Sequence, residues 1–338
     1  MNDTTTVSSP TGAPRRKRFE RDSREAERPF VLTERDRALL RHLYTVRYLS
    51  ADQLWQLAYA EPGADPRAPQ AILRRLRKLF DRGYVDRLAN QAYHQFDPRT
   101  QRFTGGQSFV YGLGNKGAEV VAEEAHDLKM ARLDWAKNNR EIKWPQIQHT
   151  LMVSQVYVTL HLALKLTPNL RLHEWRQGRD LQDRFYYDKD GDYVAVPDPE
   201  AIRRGAYVKY SVAPDAYFAL TRNDTGQALC FFLEADRSTM LTERFLEKIA
   251  AYIHWREHGR DRQRCQGMVD FAVLTVTKSE SRWRNLLEAA RSVPRIDDEA
   301  HAYRFRFAYE ELYLETPAQF RERIWVAAPT GQRLSLFE

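Results

Sequence analysis

The chain has few cysteines and no long apolar run, and each absence excludes a class of protein. Among its 338 residues only Cys230 and Cys265 are cysteines, and neither belongs to a paired motif, so a zinc site or a disulfide framework is not expected. The longest apolar runs, of which residues 228–233 are an example, are much shorter than the roughly 18 residues that a membrane span requires. Residues 1–14 are polar and lack the apolar centre of a secretory signal. We therefore expect a cytoplasmic protein with no membrane partner.

Acidic residues are outnumbered by basic ones. The chain has 53 Lys and Arg against 46 Asp and Glu, for a net charge of +7, which favours an anionic partner. One basic cluster, residues 15–18, lies in a segment poor in apolar residues. It fits either a solubilising leader or an arm that touches phosphates. A second cluster lies on a predicted helix and is more informative.

Composition and periodicity divide the chain into four segments and predict the α+β fold class. Residues 1–29 are rich in Thr, Ser, Pro and charge, which predicts a disordered basic tail. Residues 30–130 show three helices, a hairpin and a fourth helix, the order of a winged helix-turn-helix DNA-binding domain. The charged residues 131–145 are the expected linker. Residues 146–338 alternate helices and apolar strands, which implies a mixed α/β domain.

The helix predicted over residues 69–82 has the clearest DNA-binding pattern. Its apolar positions fall on one face, while four basic residues within five positions, with no acid between them, point elsewhere. Such a helix can enter the major groove, where arginine matches guanine and glutamine matches adenine. The alternatives are a solvated cationic face on this helix and an ordinary surface loop in the hairpin. The predicted DNA-binding residues are Gln70, Arg74, Arg75, Arg77 and Lys78 on the helix, with Arg99 and Arg102 in the hairpin.

The chain carries an ordered set of short motifs in both of its halves. They are Leu32–Asp36, Leu49–Leu54, Arg74–Leu76, Phe109–Gly117, Gln148–Leu151, Ala213–Asp215, Phe232–Thr239 and Lys248–Tyr252. This set resembles the replication-relaxation family over about residues 31–260, and the resemblance depends mainly on the downstream motifs. It implies double-stranded DNA of a plasmid or integrating element as the partner, a role in replication, relaxation or transfer, and contact with replication or conjugation proteins of the same element.

Within these motifs, Pro214-Asp215 followed nineteen residues later by Glu234 is similar to the PD-(D/E)xK nuclease superfamily. In that superfamily an Asp and a Glu on adjacent strands hold magnesium, and a lysine two residues beyond the Glu orients or activates water. The resemblance therefore implies a restriction-endonuclease-like fold for residues 146–338. It also implies Asp215 and Glu234 as metal ligands, and Mg²⁺ as the cofactor if this domain is active.

The sequence departs from that pattern at Asp236, which stands where the lysine is expected. Three close carboxylates would raise one another's pKa, so they must share a metal, pair with a base or splay apart. Lys248, on the next predicted helix, can supply the missing ammonium. Lys248 and Tyr252 lie one helical turn apart, similar to the Gln-x-x-x-Tyr motif of one nuclease branch. The candidate catalytic residues are Asp215, Glu234, Asp236 and Lys248.

Structural roles are the alternative at these positions. Asp236 can N-cap the helix that follows, Glu234 and Lys248 can form a structural pair, and His149 fits a cap or packing residue. Three functions stay open: a DNA-binding protein of a mobile element whose nuclease-like domain serves assembly, an active magnesium-dependent nuclease or nickase, and a winged-helix transcriptional regulator. We expect association with the nucleoid, and a homodimer is one assembly that the sequence leaves open.

Overall fold

The computed structural model describes residues 18–58, 65, 67–91, 96–97, 102–103, 108–126, 133–238, 240–260, 270–314 and 317–337. Over these ranges the chain has an α+β fold in which helices pack on separate sheets. None of the helices in these ranges has both the length and the apolar content that a bilayer crossing requires.

The N-terminal region packs helices around a three-stranded sheet. Its helices are α1 (Ser23–Ala26), α2 (Glu34–Val46), α3 (Ala51–Ala58), α4 (Gln70–Asp81) and α5 (Asn115–Ala125), and its strands are β1 (Tyr48–Ser50), β2 (Val85–Arg87), β3 (Phe96–Asp97), β4 (Arg102–Phe103) and β5 (Val110–Leu113). The sheet is antiparallel, in the order β1-β5-β2, and β3 and β4 pair separately as a hairpin between β2 and β5. Helices α2, α3 and α4, the hairpin and α5 follow one another in the predicted order, and α1 precedes them.

Local sequence explains where helix α2 begins and where helix α4 ends. Thr33 and Asp36 form a capping box at the start of α2, with the Thr33 N–H donating to Asp36 Oδ2 at 2.7 Å. Helix α4 ends before Gly83, whose φ of +81° lies in the left-handed region that favours glycine. The N–H groups of Gly83 and Tyr84 then donate to carbonyl oxygens of the last turn, as in a Schellman motif. The predicted end of this helix is confirmed.

Residues 18–29 pack against α4, whereas the sequence analysis placed them in a disordered tail. The N–H of Asp22 donates to Asp81 Oδ1 at 3.0 Å, and Arg21 forms an ion pair with Asp86. The prediction of disorder was therefore wrong for these twelve residues, because the Asp22 backbone is bound by Asp81 of α4 and the Arg21 side chain pairs with Asp86 of β2. The remainder of that tail lies outside the described residues.

The segment expected to be a linker contains helix α6 (Trp135–Glu141), which docks on the N-terminal sheet. Asn139 is buried, and its amide donates to the Leu113 carbonyl oxygen at 2.8 Å and to Asp86 Oδ2 at 2.9 Å. The charged composition that suggested a linker reflects the solvated side of a short helix. Residues 133–143 therefore join the two regions as a packed element.

The C-terminal region is built on a seven-stranded mixed sheet. Its elements are α7 (Trp144–Lys165), β6 (Leu170–Arg176), β7 (Asp183–Tyr187), β8 (Tyr193–Val194), α8 (Pro199–Arg203), β9 (Val208–Val212), β10 (Ala216–Arg222), β11 (Ala228–Asp236), α9 (Thr242–Glu257), β12 (Phe271–Thr277), α10 (Glu280–Ala290), β13 (Phe305–Tyr309), β14 (Trp325–Ala327) and β15 (Arg333–Leu334). The order of the large sheet is β15-β14-β13-β12-β11-β10-β6, and β8-β7-β9 form a smaller sheet. Strands β11, β12 and β13 are parallel, so their carboxyl ends share one edge.

Helices cover both faces of the large sheet. Helix α7 packs on one face through residues such as Val153 and Val156, which share a buried cluster with Phe218. Helices α9 and α10 pack on the other face, where Ile249 and Leu286 share a cluster with sheet residues. This layering places the carboxyl edge of the sheet beside the start of α7.

A buried carboxylate joins α2 to α4. Asp36 is fully buried, and its Oδ1 accepts a hydrogen bond from Arg75 Nε at 2.9 Å. Burial alone would raise the pKa of Asp36, but the hydrogen bonds from Arg75 and Thr33 outweigh it and hold the pKa below the ordinary value. This pair fixes the position of α4 in the N-terminal region.

We expect Asp36→Ala to lower the free energy of unfolding by about 3 kcal/mol, because it removes a helix cap and leaves Arg75 without its buried partner. Since folding lowers this pKa, the stabilisation is present above the unfolded-state pKa of about 3.9 and is lost as pH falls through the folded-state pKa. Urea unfolding at several pH values measures both effects. Glu34→Ala is the matched control, because Glu34 is in the same turn and its ion pair with Arg41 is exposed. Equal losses in the two variants would contradict the assignment.

Candidate nucleic-acid interface and carboxylate site

One face of α4 is open to solvent. Gln70, Arg74 and Lys78 are spaced four residues apart and are all exposed, so they form a line along the helix. The opposite face is buried, with Ile72 and Leu76 among its core residues. The predicted division of this helix into an apolar and a basic face is therefore present, with three of the five predicted helix contacts on the open side.

Arg75 is engaged inside the protein. Besides its ion pair with Asp36, it donates to the Val31 carbonyl oxygen at 2.9 Å, and its guanidinium carbon lies 4.2 Å from the Phe30 ring centroid. Its charge is neutralised by an acid of α2, so we no longer expect Arg75 to contact DNA.

Arg77 is engaged in a similar way. It pairs with Asp81 one turn further along α4 at 2.8 Å and donates to the Glu20 carbonyl oxygen at 2.9 Å. Only 17% of its side chain is exposed. Because the segment before α1 covers the Arg77 side chain, we do not expect Arg77 to contact DNA. The sequence could not show this, because the segment that covers Arg77 is distant along the chain.

Two further arginines were predicted to contact DNA from the hairpin. Arg102 lies in β4 and pairs in register with Asp97 of β3. Arg99 lies outside the described residues, and the contact of both arginines with DNA stays a prediction.

Asp215 and Glu234 meet at the carboxyl edge of the large sheet. Asp215 directly precedes β10, and its N–H donates to the Leu233 carbonyl oxygen at 2.9 Å. Its Oδ2 accepts a hydrogen bond from the Ala235 N–H at 2.7 Å. These backbone contacts hold its carboxylate beside Glu234 on the adjacent strand β11. The two acids therefore lie on neighbouring strands, as the resemblance to nucleases implied.

Glu234 is 5% exposed and is bound by two side chains of α9. Lys248 Nζ forms an ion pair with one carboxylate oxygen, and the Tyr252 hydroxyl donates to the other at 2.8 Å. Burial raises the pKa of Glu234, and Lys248 opposes this without cancelling it. Burial would lower the pKa of Lys248, but attraction by Glu234 and Asp215 outweighs it and raises that pKa. Lys248 is thus the counter-cation that the sequence analysis expected from the next helix.

Asp236 has a different partner. It is 3% exposed, accepts a hydrogen bond from Arg282 Nε of α10 at 2.6 Å, and also accepts one from the Ser238 N–H at 3.0 Å. The sequence analysis expected these carboxylates to share a metal, to pair with a base or to splay apart, and in the structure Glu234 and Asp236 each pair with a base. Asp236 therefore takes no part in the hydrogen bonds that join Asp215, Glu234 and Lys248, and its ion pair with Arg282 connects β11 to α10.

His149 of α7 is a member of this site that sequence reasoning missed. Its Nε2 lies 2.9 Å from Asp215 Oδ1. The hydrogen bond to Asp215 raises the pKa of His149 against the effects of burial and of the charges on Lys248 and Arg237. The two residues are 66 positions apart, so no local pattern links them.

The donor set does not fit a magnesium centre as it is arranged. Magnesium requires oxygen ligands in near-octahedral geometry. Both oxygens of Glu234 are bound by α9, and both oxygens of Asp215 are bound by His149 and the Ala235 N–H. Within the described ranges, no group of three or more His, Cys, Asp and Glu residues is placed to hold a metal. The arrangement is that of an ion-pair network, and a metal would have to displace Lys248 or His149.

The protein is therefore an α+β protein with two candidate sites, the exposed line of residues on α4 and the paired carboxylates at the edge of the large sheet. Residues 40–270, more than half of the chain, match the Replication-relaxation family, and the chain belongs to that family. Membership indicates a role in the replication or relaxation of a plasmid or similar element. No curated protein and no solved structure matches the chain.

We expect a double-mutant cycle to show that Glu234 and Lys248 are coupled. Lys248→Met should lower stability by about 3 kcal/mol because Glu234 stays buried without its counter-cation. Adding Glu234→Gln should recover most of that loss, and chemical unfolding of the four proteins measures the coupling. The matched control is the exposed pair Lys137 and Glu141, whose atoms are 4.0 Å apart and whose coupling should be below about 0.5 kcal/mol. Additive losses at 234 and 248 would contradict the pairing.

Proposed function

We propose that the protein binds duplex DNA of a plasmid or integrating element and acts in the replication, relaxation or transfer of that DNA. The N-terminal region is interpreted as a winged helix-turn-helix, with α3 and α4 as the helix pair and β3–β4 as the wing. The C-terminal region is interpreted as a restriction-endonuclease-like domain that serves assembly. The observation that supports DNA binding most directly is the exposed line of Gln70, Arg74 and Lys78 on the second helix of the pair.

The chemistry of this line suits a major groove. The groove admits one helix, glutamine and arginine can pair with adenine and guanine, and lysine can contact phosphate. Arg75 and Arg77 contribute indirectly, because Arg75 pairs with Asp36 of α2 and Arg77 donates to the Glu20 carbonyl oxygen, and both contacts hold the helix in place. Association with the nucleoid in the cytoplasm would follow from this binding. Replication or conjugation proteins of the element, and a second copy of the chain, are the further partners proposed.

We expect Arg74→Ala with Lys78→Ala to weaken DNA binding and to reduce the slope of log affinity against log salt by up to about 1.8, or about 0.9 for each phosphate that the protein no longer neutralises. Fluorescence anisotropy with duplexes from the element and with random duplexes, at several salt concentrations, measures both quantities. Arg171→Ala with Arg333→Ala removes two exposed charges from the edge strands β6 and β15 and is the charge-matched control.

An unchanged slope and affinity in the α4 variant would remove this helix from the interface. Footprinting on the element then separates two biological roles. Protection at an origin or transfer region supports the proposed function, and protection over promoters alone would instead favour a transcriptional regulator.

An active metal-dependent nuclease is the second candidate, favoured by Asp215 and Glu234 on adjacent strands with Lys248 beside them. If it is correct, the wild-type protein nicks supercoiled DNA with Mg²⁺ or Mn²⁺, and Asp215→Ala or Glu234→Ala abolishes nicking. Asp224→Ala, in an exposed turn, is the control and should retain activity. Supercoiled DNA that stays intact with both metals would leave the C-terminal region a binding or assembly domain.

A further inference from the structure

Two cations, Arg237 and Lys278, follow parallel strands of the large sheet. Arg237 comes directly after β11, and Lys278 comes directly after β12. Arg237 is anchored to the start of α7, where it donates to the Pro145 carbonyl oxygen at 2.9 Å and to Gln148 Oε1. Its Nε is buried and makes no hydrogen bond within the described part of the chain. In that same part, neither cation has a carboxylate at ion-pair distance.

Two other cations near this edge, Arg282 and Lys248, do have acidic partners. Arg282 is neutralised by Asp236, and Lys248 is neutralised by Glu234. Arg237 and Lys278 therefore leave a net positive charge next to the carboxylate site. Both terminal nitrogens of Arg237 are bound to Pro145 and Gln148, so Arg237 adds positive charge beside the site, whereas the exposed Lys278 ammonium can contact a phosphate directly.

A cavity of about 360 Å³ opens at this edge, between the N-terminal sheet and the large sheet, and Ser50, Ser108, Gln148, Lys278 and Glu310 are among the residues that line it. The two serine hydroxyls accept hydrogen bonds from backbone N–H groups, Ser50 from Gln53 at 3.1 Å and Ser108 from Asp52 at 3.2 Å. Each hydroxyl therefore keeps its own proton to donate to a ligand oxygen.

Glu310 is the acid among these lining residues. Burial raises the pKa of Glu310, while the charges of Lys278 and Arg237 act in the opposite direction. It therefore opposes an anionic ligand in this cavity, and its removal should favour one.

We propose that this cleft binds phosphate groups of the DNA backbone, with Arg237 and Lys278 supplying charge and Ser50 and Ser108 supplying hydrogen-bond donors. This inference rests on the proposed function, because the ligand is the same DNA that α4 reads. Such binding gives the C-terminal region a share of the affinity and brings the backbone beside Asp215 and Glu234. Phosphate contacts position a duplex without specifying its sequence.

The experiment uses the full chain with Arg237→Gln and Lys278→Ala combined. We expect the salt slope to fall by up to about 1.8 and the affinity at low salt to fall by about tenfold or more. The loss should be equal for duplexes from the element and for random duplexes. A second variant, Glu310→Gln, should raise affinity by roughly threefold at low salt, and the gain should fade as salt screens the charge.

The outcomes separate this inference from the proposed function. If the α4 variant loses affinity while the Arg237 and Lys278 variant keeps both affinity and slope, the cleft is not a DNA contact and the proposed function stands. If the wild type shows no salt-dependent DNA binding, both fail. Circular dichroism melting detects a misfolded variant, and in that case Glu310→Gln decides the matter, since unchanged or weaker binding by that variant overturns the inference.

Discussion

The packing of α7 against two cores is the constraint on which the rest of the structure depends. Tyr157, Val158 and Leu162 belong to the N-terminal core, whereas Val153, Val156 and other α7 residues belong to the core of the large sheet. A helix that is apolar on most of its surface is expected to be buried on most of its surface. Here one continuous helix is shared by both regions, so neither core is complete without it.

Polar bonds make this shared packing specific. The Ser154 hydroxyl donates to the Tyr48 carbonyl oxygen at 2.9 Å, and Gln53 Nε2 donates to the Leu151 carbonyl oxygen at 3.2 Å and to Gln155 Oε1 at 3.0 Å. Apolar contacts alone would tolerate some sliding of α7 along α3 and β1. Buried hydrogen bonds do not, because a shift leaves their donors and acceptors unpaired in a dry environment.

The elements that sequence predicted well are those with a local signal. Helix α4, predicted over 69–82, has a strong apolar periodicity and a glycine after its last turn, and β11 and β12 are long apolar runs. The elements it missed lack such a signal. Strand β1 has only three residues, and α6 has mostly polar residues around one buried asparagine.

The same distinction applies to the sites. Asp215, Glu234 and Lys248 could be predicted because their spacing resembles a known pattern. The partners that define their chemistry could not be predicted, since His149 is 66 residues from Asp215 and Arg282 is 46 residues from Asp236. Pairs this far apart in sequence are brought together only by the sheet and by the helices on its faces. The ion pair of Arg75 could not be predicted for the same reason, because its partner Asp36 lies on another helix 39 residues away.

Ion pairs with buried acids decide which of the basic residues have charge available for a partner. Of the basic residues on α4, Arg75 pairs with a buried acid of α2 and Arg77 with a buried acid of α4 itself, whereas Arg74 and Lys78 are exposed. At the sheet edge, Arg282 and Lys248 hold Asp236 and Glu234. At the same edge, Arg237 and Lys278 have no carboxylate within ion-pair distance in the described part of the chain, so their charge is available to an anionic ligand. The position of a basic residue on a helix or at a strand end therefore does not by itself predict a contact, because a buried acid nearby can take up its charge.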